Sequence, residues 1–190
     1  MWRCRMSPVH IESEQETTMF HFLQERYWSM IRIAMGCWFL WPFLDRTFGL
    51  GDSTCNVGGS PQFGCEEAWV SGGHPTQGFL KYSTEGPFAE WFQSLSTSIT
   101  VEWLFMVGLL LVGLAFITGM GTRIAGYSGA FILFMIWLSA IPPDHNPFFD
   151  HHLIYAILCL SMAHMRCGDT WGLGSWWSQI RIVEQYPFLR

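Results

Sequence analysis

Between Glu102 and Asp144 the chain carries a single charged side chain, Arg123. So long a stretch without charge can be kept from water only in a large core or in lipid. On either side of Arg123 the run matches the about 20 mostly apolar residues that a bilayer-crossing helix needs. Two membrane helices are therefore expected, over 101–119 and 124–141. The turn Gly119–Arg123 between them is short, so they must be antiparallel neighbours. Gly108, Gly113, Gly126, Gly129 and Ala130 suit close backbone approach between helices in lipid.

Two further apolar segments occupy 27–44 and 148–165. The first contains Arg32, near enough to its start to snorkel to the membrane surface. The second is short and opens on the polar string Asp150-His151-His152. Charged residues make up 13% of the chain, against about 25% in soluble domains, and the deficit falls in these four segments. The expected fold is all-α: an integral membrane four-helix bundle spanning 27–167. Trp and Tyr favour membrane interfaces, and the eleven Trp fit that setting. A net charge of −5 without a basic cluster gives no footprint for nucleic acid.

Lys and Arg mark the cytoplasmic side of membrane helices. Arg3, Arg5, Arg26 and Arg32 precede or open the first segment, Arg123 lies in the tight turn, and Arg166, Arg181 and Arg190 follow the fourth. Only Arg46 and Lys81 fall on the other side. Both termini are thus expected in the cytoplasm of a prokaryotic cell, with the bundle in its cell membrane. Residues 1–26 lack the apolar core of a secretory signal and read as a polar cytoplasmic extension. The 45–100 loop is long, and its aromatics, among them Trp69, Phe79 and Trp91, predict an ordered outer cap rather than a solvated linker. Within it, 85–95 reads as a short amphipathic helix starting near Pro87. Residues 168–190 alternate Trp and aliphatic with polar residues, as in a helix lying at the inner membrane surface or docking a partner.

Cys55 and Cys65 lie in the outer loop, where an oxidising environment makes a disulfide between them the expectation. Cys37 and Cys159 lie in apolar segments. Cys4 and Cys167 are expected to be free and cytoplasmic. No CxxC is present.

Ionisable residues at membrane depth are candidates for function. Asp45 and Arg46 stand at the outer end of the first segment, either as an interfacial anchor or as part of a site. The string 142–152 gathers Asp144, His145, Asn146, Asp150, His151 and His152, suited to proton transfer near neutral pH. Asp150 also fits a helix N-cap. The ligand spacing matches no defined metal motif, so no metal is expected. Glu102 opens the second segment, either paired with Arg46 or facing the helix dipole. His152 and His164 would lie about 18 Å apart along one helix, too far to share a metal.

The strings WFLWPFLDRTFGLG (38–51), AWVSGGHPTQGFL (68–80), GPFAEWFQSL (86–95), 102–130 and MIWLSAIPPDHNPFFDHHLIYA (135–156) together resemble the DoxX/DoxD family of small four-helix membrane proteins. The likeness is to the branch working in thiosulfate:quinone oxidoreduction. The resemblance implies oxidation of thiosulfate to tetrathionate with electrons passed to the quinone pool, and a second subunit of the DoxA type. Family-like positions are Asp45, Arg46, Arg123, Asp144, Asn146, Asp150 and His152. On that reading Arg46 suits an oxyanion, Asp150 or His152 passes protons, and Trp38, Trp41 and Trp137 flank a quinone ring. Quinone is the expected electron acceptor, since the chain has no haem or iron–sulfur motif. The alternative is a non-catalytic membrane anchor that recruits redox partner proteins or a larger respiratory complex. Permeation ranks last, since transporters usually have more helices and inverted repeats.

Overall fold

The structure, a computed structural model, describes residues 8–57, 60–142 and 149–190. It is mostly helical. Helix α1 runs Pro8–Phe48, α2 Pro75–Tyr82, α3 Ala89–Ser94, α4 Ile99–Thr118, α5 Thr122–Ser139, α6 His151–His164, α7 Gly174–Trp177 and α8 Arg181–Gln185. A two-residue antiparallel ribbon, β1 Asn56–Val57 with β2 Ser60–Pro61, closes a tight loop.

Among the described residues, two helices, α4 and α5, are long and apolar enough to cross a membrane. The expected first and fourth segments take other forms. Helix α1 does not begin near residue 27: it is continuous over 41 residues. Residues 9–26 contain neither Pro nor Gly and many good helix formers, so their polarity changes what the helix faces without ending it. Gly49 ends it, at φ 64°, a conformation glycine adopts without strain. Helix α6 has 14 residues, about 21 Å of rise, less than the about 30 Å of a hydrocarbon core.

Helix α1 packs on α4, α4 on α5, and α5 on α6. Phe39, Leu109, Phe116, Leu133, Cys159 and Met162 form the centre of the buried core. Two glycines stand at close helix contacts. A Cβ on Gly113 would lie 3.1 Å from the Leu40 backbone N of α1, and one on Gly126 would lie 2.6 Å from the Cys159 carbonyl of α6. The sequence reading of these glycines as packing positions is the use the structure makes of them.

The connecting segments sort to the two ends of these helices. At one end, α2 and α3 form a cap held by the Glu85 N–H donating to the Ser139 carbonyl at 3.0 Å and by the Trp69 and Trp103 rings, 4.6 Å apart. Helix α2 was not anticipated; its signal is Pro75 in the first turn. At the other end the 165–190 tail folds back on the α4–α5 turn, with Leu173 N–H donating to Thr118 O at 2.7 Å and Arg123 N–H to Arg190 O at 2.9 Å. The tail is not one interfacial helix. It is divided into α7, α8 and a final 3₁₀ turn that opens on Pro187.

Candidate functional site

Asp45 is wholly buried at the cap end of α1. Its carboxylate accepts from the N–H groups of Asp52 at 3.0 Å, Ser53 at 3.1 Å and Thr54 at 2.9 Å, and from Ser53 Oγ at 2.9 Å. Burial pushes this carboxyl up, but the donors outweigh it and hold it below the usual carboxylate range. The folded loop continues into Cys55, which is bonded to Cys65. Asp45 is therefore occupied in shaping the loop, with both oxygens engaged by loop donors.

Arg46 points elsewhere, as adjacent helical residues do. Its guanidinium lies 5.8 Å from the centre of the Phe105 ring and reaches the Pro42 carbonyl at 3.4 Å. Burial lowers its pKa, and the Asp45 and Asp52 carboxylates oppose that.

Glu102 does not pair with Arg46. Its Oε2 lies 2.8 Å from His74 Nδ1, because α2 brings His74 over the first turn of α4. Glu102 is buried and its Oε1 has no partner, and the Thr76 hydroxyl is likewise buried and unpaired. Sequence reading missed both His74 and Thr76.

These residues stand between two cavities. A polar cleft of about 610 Å³ is lined by Arg46, Glu66, Glu67, His74, Phe79 and Lys81, among others. An apolar groove of about 620 Å³ runs beneath the cap between α4 and α5, walled by Leu80, Phe92, Leu104, Phe131 and Met135, with Thr76, Tyr127, Ser128 and Ser139 as polar residues along it. Phe79 lines both.

The expected tryptophan clamp does not assemble. Trp41 Nε1 donates to Asp52 Oδ2 at 3.1 Å, Trp137 packs on Phe134, and Trp38 sits against Tyr155, His151 and His152. None of the three lines the groove among its described walls. The three are spread along two helices, and each follows its own helix face.

At the start of α6, Asp150 caps the helix by accepting from Leu153 N–H at 3.1 Å through Oδ1. Its Oδ2 lies 2.6 Å from His152 Nδ1 and 3.8 Å from His151 Nδ1. Asp144, His145 and Asn146 lie outside the described residues, as does Cys4. His164, at the far end of α6, reaches the Tyr127 hydroxyl at 3.2 Å and the Leu160 carbonyl at 2.8 Å.

Arg32 overturns its expected role. It does not snorkel outward but is wholly buried. Its Nε donates to Cys167 O at 3.1 Å, its Nη1 to the carbonyls of Phe116 and Ile117, and its Nη2 to Thr170 O at 3.4 Å and Trp171 O at 2.9 Å. All five guanidinium N–H groups thus meet carbonyls. The C-terminal carbonyls of a helix lack intrahelical donors and carry partial negative charge, so the end of α4 attracts a cation inward. Gly119 and Gly172 make the room: a Cβ on either would lie about 3 Å from the guanidinium. Cys167, beside it, is free and buried. Arg123 lines a small cavity of about 210 Å³ at this end with Arg166, Asp169 and Arg190.

No family model, no curated protein and no solved structure matches the chain.

Proposed function

We propose that this chain is a multi-pass protein of a prokaryotic cell membrane that binds a quinone in the groove beneath its outer cap. The groove carries this reading. It is apolar, opens between α4 and α5, and holds one unpaired buried hydroxyl, Thr76. Ligand sites of this kind are mostly apolar with a few placed polar groups. The Thr76 hydroxyl suits a quinone carbonyl as acceptor.

Reducing a quinone consumes two electrons and two protons. The proton path we assign runs from His74, half-exposed in the polar cleft, to buried Glu102, whose helix neighbours Val101 and Phe105 wall the groove and whose Oε1 has no hydrogen-bond partner. Asp150 and His152 pair with each other at the start of α6 and are given no part in this path. The electron donor follows from the family resemblance: two thiosulfate-class oxyanions couple through a new S–S bond into one tetrathionate and release the two electrons the quinone takes up. The donor would enter the polar cleft near Arg46 and Lys81, alone or with a DoxA-type subunit.

Membrane placement is supported by the outward faces of the helices. Leu104, Leu111, Phe131, Ile154 and Ile157 are all exposed, and so large an apolar band suits lipid. Arg26, Arg123, Arg166, Arg181 and Arg190 gather at the tail end and the disulfide at the cap end, which supports a cytoplasmic tail and an external cap.

The test is purified protein in lipid nanodiscs with thiosulfate and a short-chain quinone, followed by quinone absorbance. Turnover should fall at least about a hundredfold in E102Q, the lower range for losing a general acid–base group. Absence of quinone binding, with or without a partner subunit, rejects the reading.

A second reading, a membrane anchor for redox partners, is favoured by one observation. Trp171, Trp176, Ile182, Tyr186 and Phe188 are exposed along the tail. The discriminating variant is W176A/Y186A/F188A, which spares the Arg32 contacts. Loss of a co-purifying redox protein with quinone turnover intact would favour the anchor.

A further inference from the structure

The two histidines at the start of α6 converge where helical geometry would part them. Neighbouring residues on a helix do not face each other. Yet the His151 and His152 rings lie 4.0 Å apart, centre to centre, and both turn toward Asp150 Oδ2. One ligand atom from each of Asp150, His151 and His152 falls within 4.8 Å of the other two.

We propose that Asp150, His151 and His152 form a binding site for a borderline divalent transition metal such as Zn²⁺ or Cu²⁺. The inference is independent of the quinone reading and shares no residue with it.

Two imidazoles and one carboxylate are the donor set such ions take, whereas Ca²⁺ and Mg²⁺ prefer oxygen alone. The donors also stand near the right spacing. Bonds of about 2.0–2.2 Å in tetrahedral array put ligand atoms about 3.4 Å apart. The Asp150–His152 and Asp150–His151 pairs, at 2.6 and 3.8 Å, bracket that figure, and all three donors lie within 4.8 Å of one another.

The surroundings hold the donors in place. Oδ1 of Asp150 is committed to the Leu153 N–H, which leaves Oδ2 facing the histidines. Trp38 packs edge-on against both rings, 6.5 and 6.4 Å from His151 and His152, and Tyr155 supports Trp38 at 5.2 Å. Orienting partners of this kind tune ligand position in metal sites. His151 is exposed, which gives an ion its way in and leaves the remaining coordination to water. The spacing in sequence gave no metal motif because the three residues are consecutive, and only their rotamers bring them together.

The experiment is calorimetric titration of Zn²⁺ into the chelator-stripped full chain in nanodiscs at neutral pH. It is paired with the nitrogen hyperfine pattern of bound Cu²⁺ in electron paramagnetic resonance. One ion per chain is expected, with two imidazole nitrogens in the Cu²⁺ spectrum. Affinity should fall at least about tenfold in H151A and in H152A, in the range seen for disturbed metal sites. D150N, which keeps an N-cap acceptor, should weaken binding while leaving the fold intact. H164A, at the other end of the same helix, should bind as the unaltered chain does. No uptake, or uptake unchanged in the H151A/H152A double variant, overturns the proposal.

Discussion

Helix α1 buries one full charge near each end of its packed length, and the two are treated differently. Arg32 and Asp45 are both completely inaccessible, about 20 Å apart along the helix. Arg32 meets only carbonyls, from the end of α4 and from the 167–171 turn, between 84 and 139 residues away in sequence. Asp45 meets only N–H and hydroxyl donors from the loop seven to nine residues after it. In both cases backbone dipoles stand in for a counter-ion. The difference is range: Arg32 fastens three segments of the chain together, whereas Asp45 shapes its own exit loop.

That contrast sets an order of damage. R32M would leave a cluster of carbonyls buried without donors and should cost about 3–5 kcal/mol, as when one member of a buried charged network is removed. The check is thermal unfolding in detergent. R32K, with three donors instead of five, should fall between. Full stability in R32M would break the idea that this residue fastens the tail end.

D45N should cost less, about 1–3 kcal/mol, because an amide oxygen still accepts while its NH₂ confronts a donor. The effect should be local, read as faster reduction of Cys55–Cys65 and faster amide exchange over 49–57, with 165–173 unchanged. If the tail end loosens equally, the two ends are not independent. The pH dependence has a definite sign. The folded carboxyl sits below its ordinary value of 3.8, so its contribution is complete above that value. It is lost as pH falls from there through the lower folded value. D45N should lack this acid-induced loosening of the cap.

The smallest effect belongs to H74A. His74 is half-exposed, so water can take its place beside buried Glu102, and the cost should stay near about 1 kcal/mol, the low end for a lost partner. Stability should change no more than that while quinone turnover drops, and a large loss of stability would mark His74 as structural instead.

Helices α4 and α5 were legible because a run without charge leaves few ways to fold, and because glycines such as Gly113 and Gly126 have a use at close helix contacts. Arg32 was not legible. An arginine near the start of an apolar segment reads alike whether it reaches out to water or in to another helix's end. The choice depends on where α4 stops and how Gly119 and Gly172 clear space. The His74–Glu102 pair was hidden because α2 is only eight residues, too short for a periodic pattern to declare itself. The convergence at Asp150 was hidden for the opposite reason: helical periodicity argues against it.

The unbroken length of α1 has a mechanical consequence. At 1.5 Å per residue the helix measures about 61 Å, and about 36 Å of it lies between Pro8 and the fastening at Arg32. It is a lever with its fulcrum inside the bundle. A tilt of about 10° at Arg32 would swing the far tip by about 6 Å on that arm. A small adjustment of helix packing in the bundle is thereby magnified at the distal arm, where Met19, Phe20 and Phe22 lie bare.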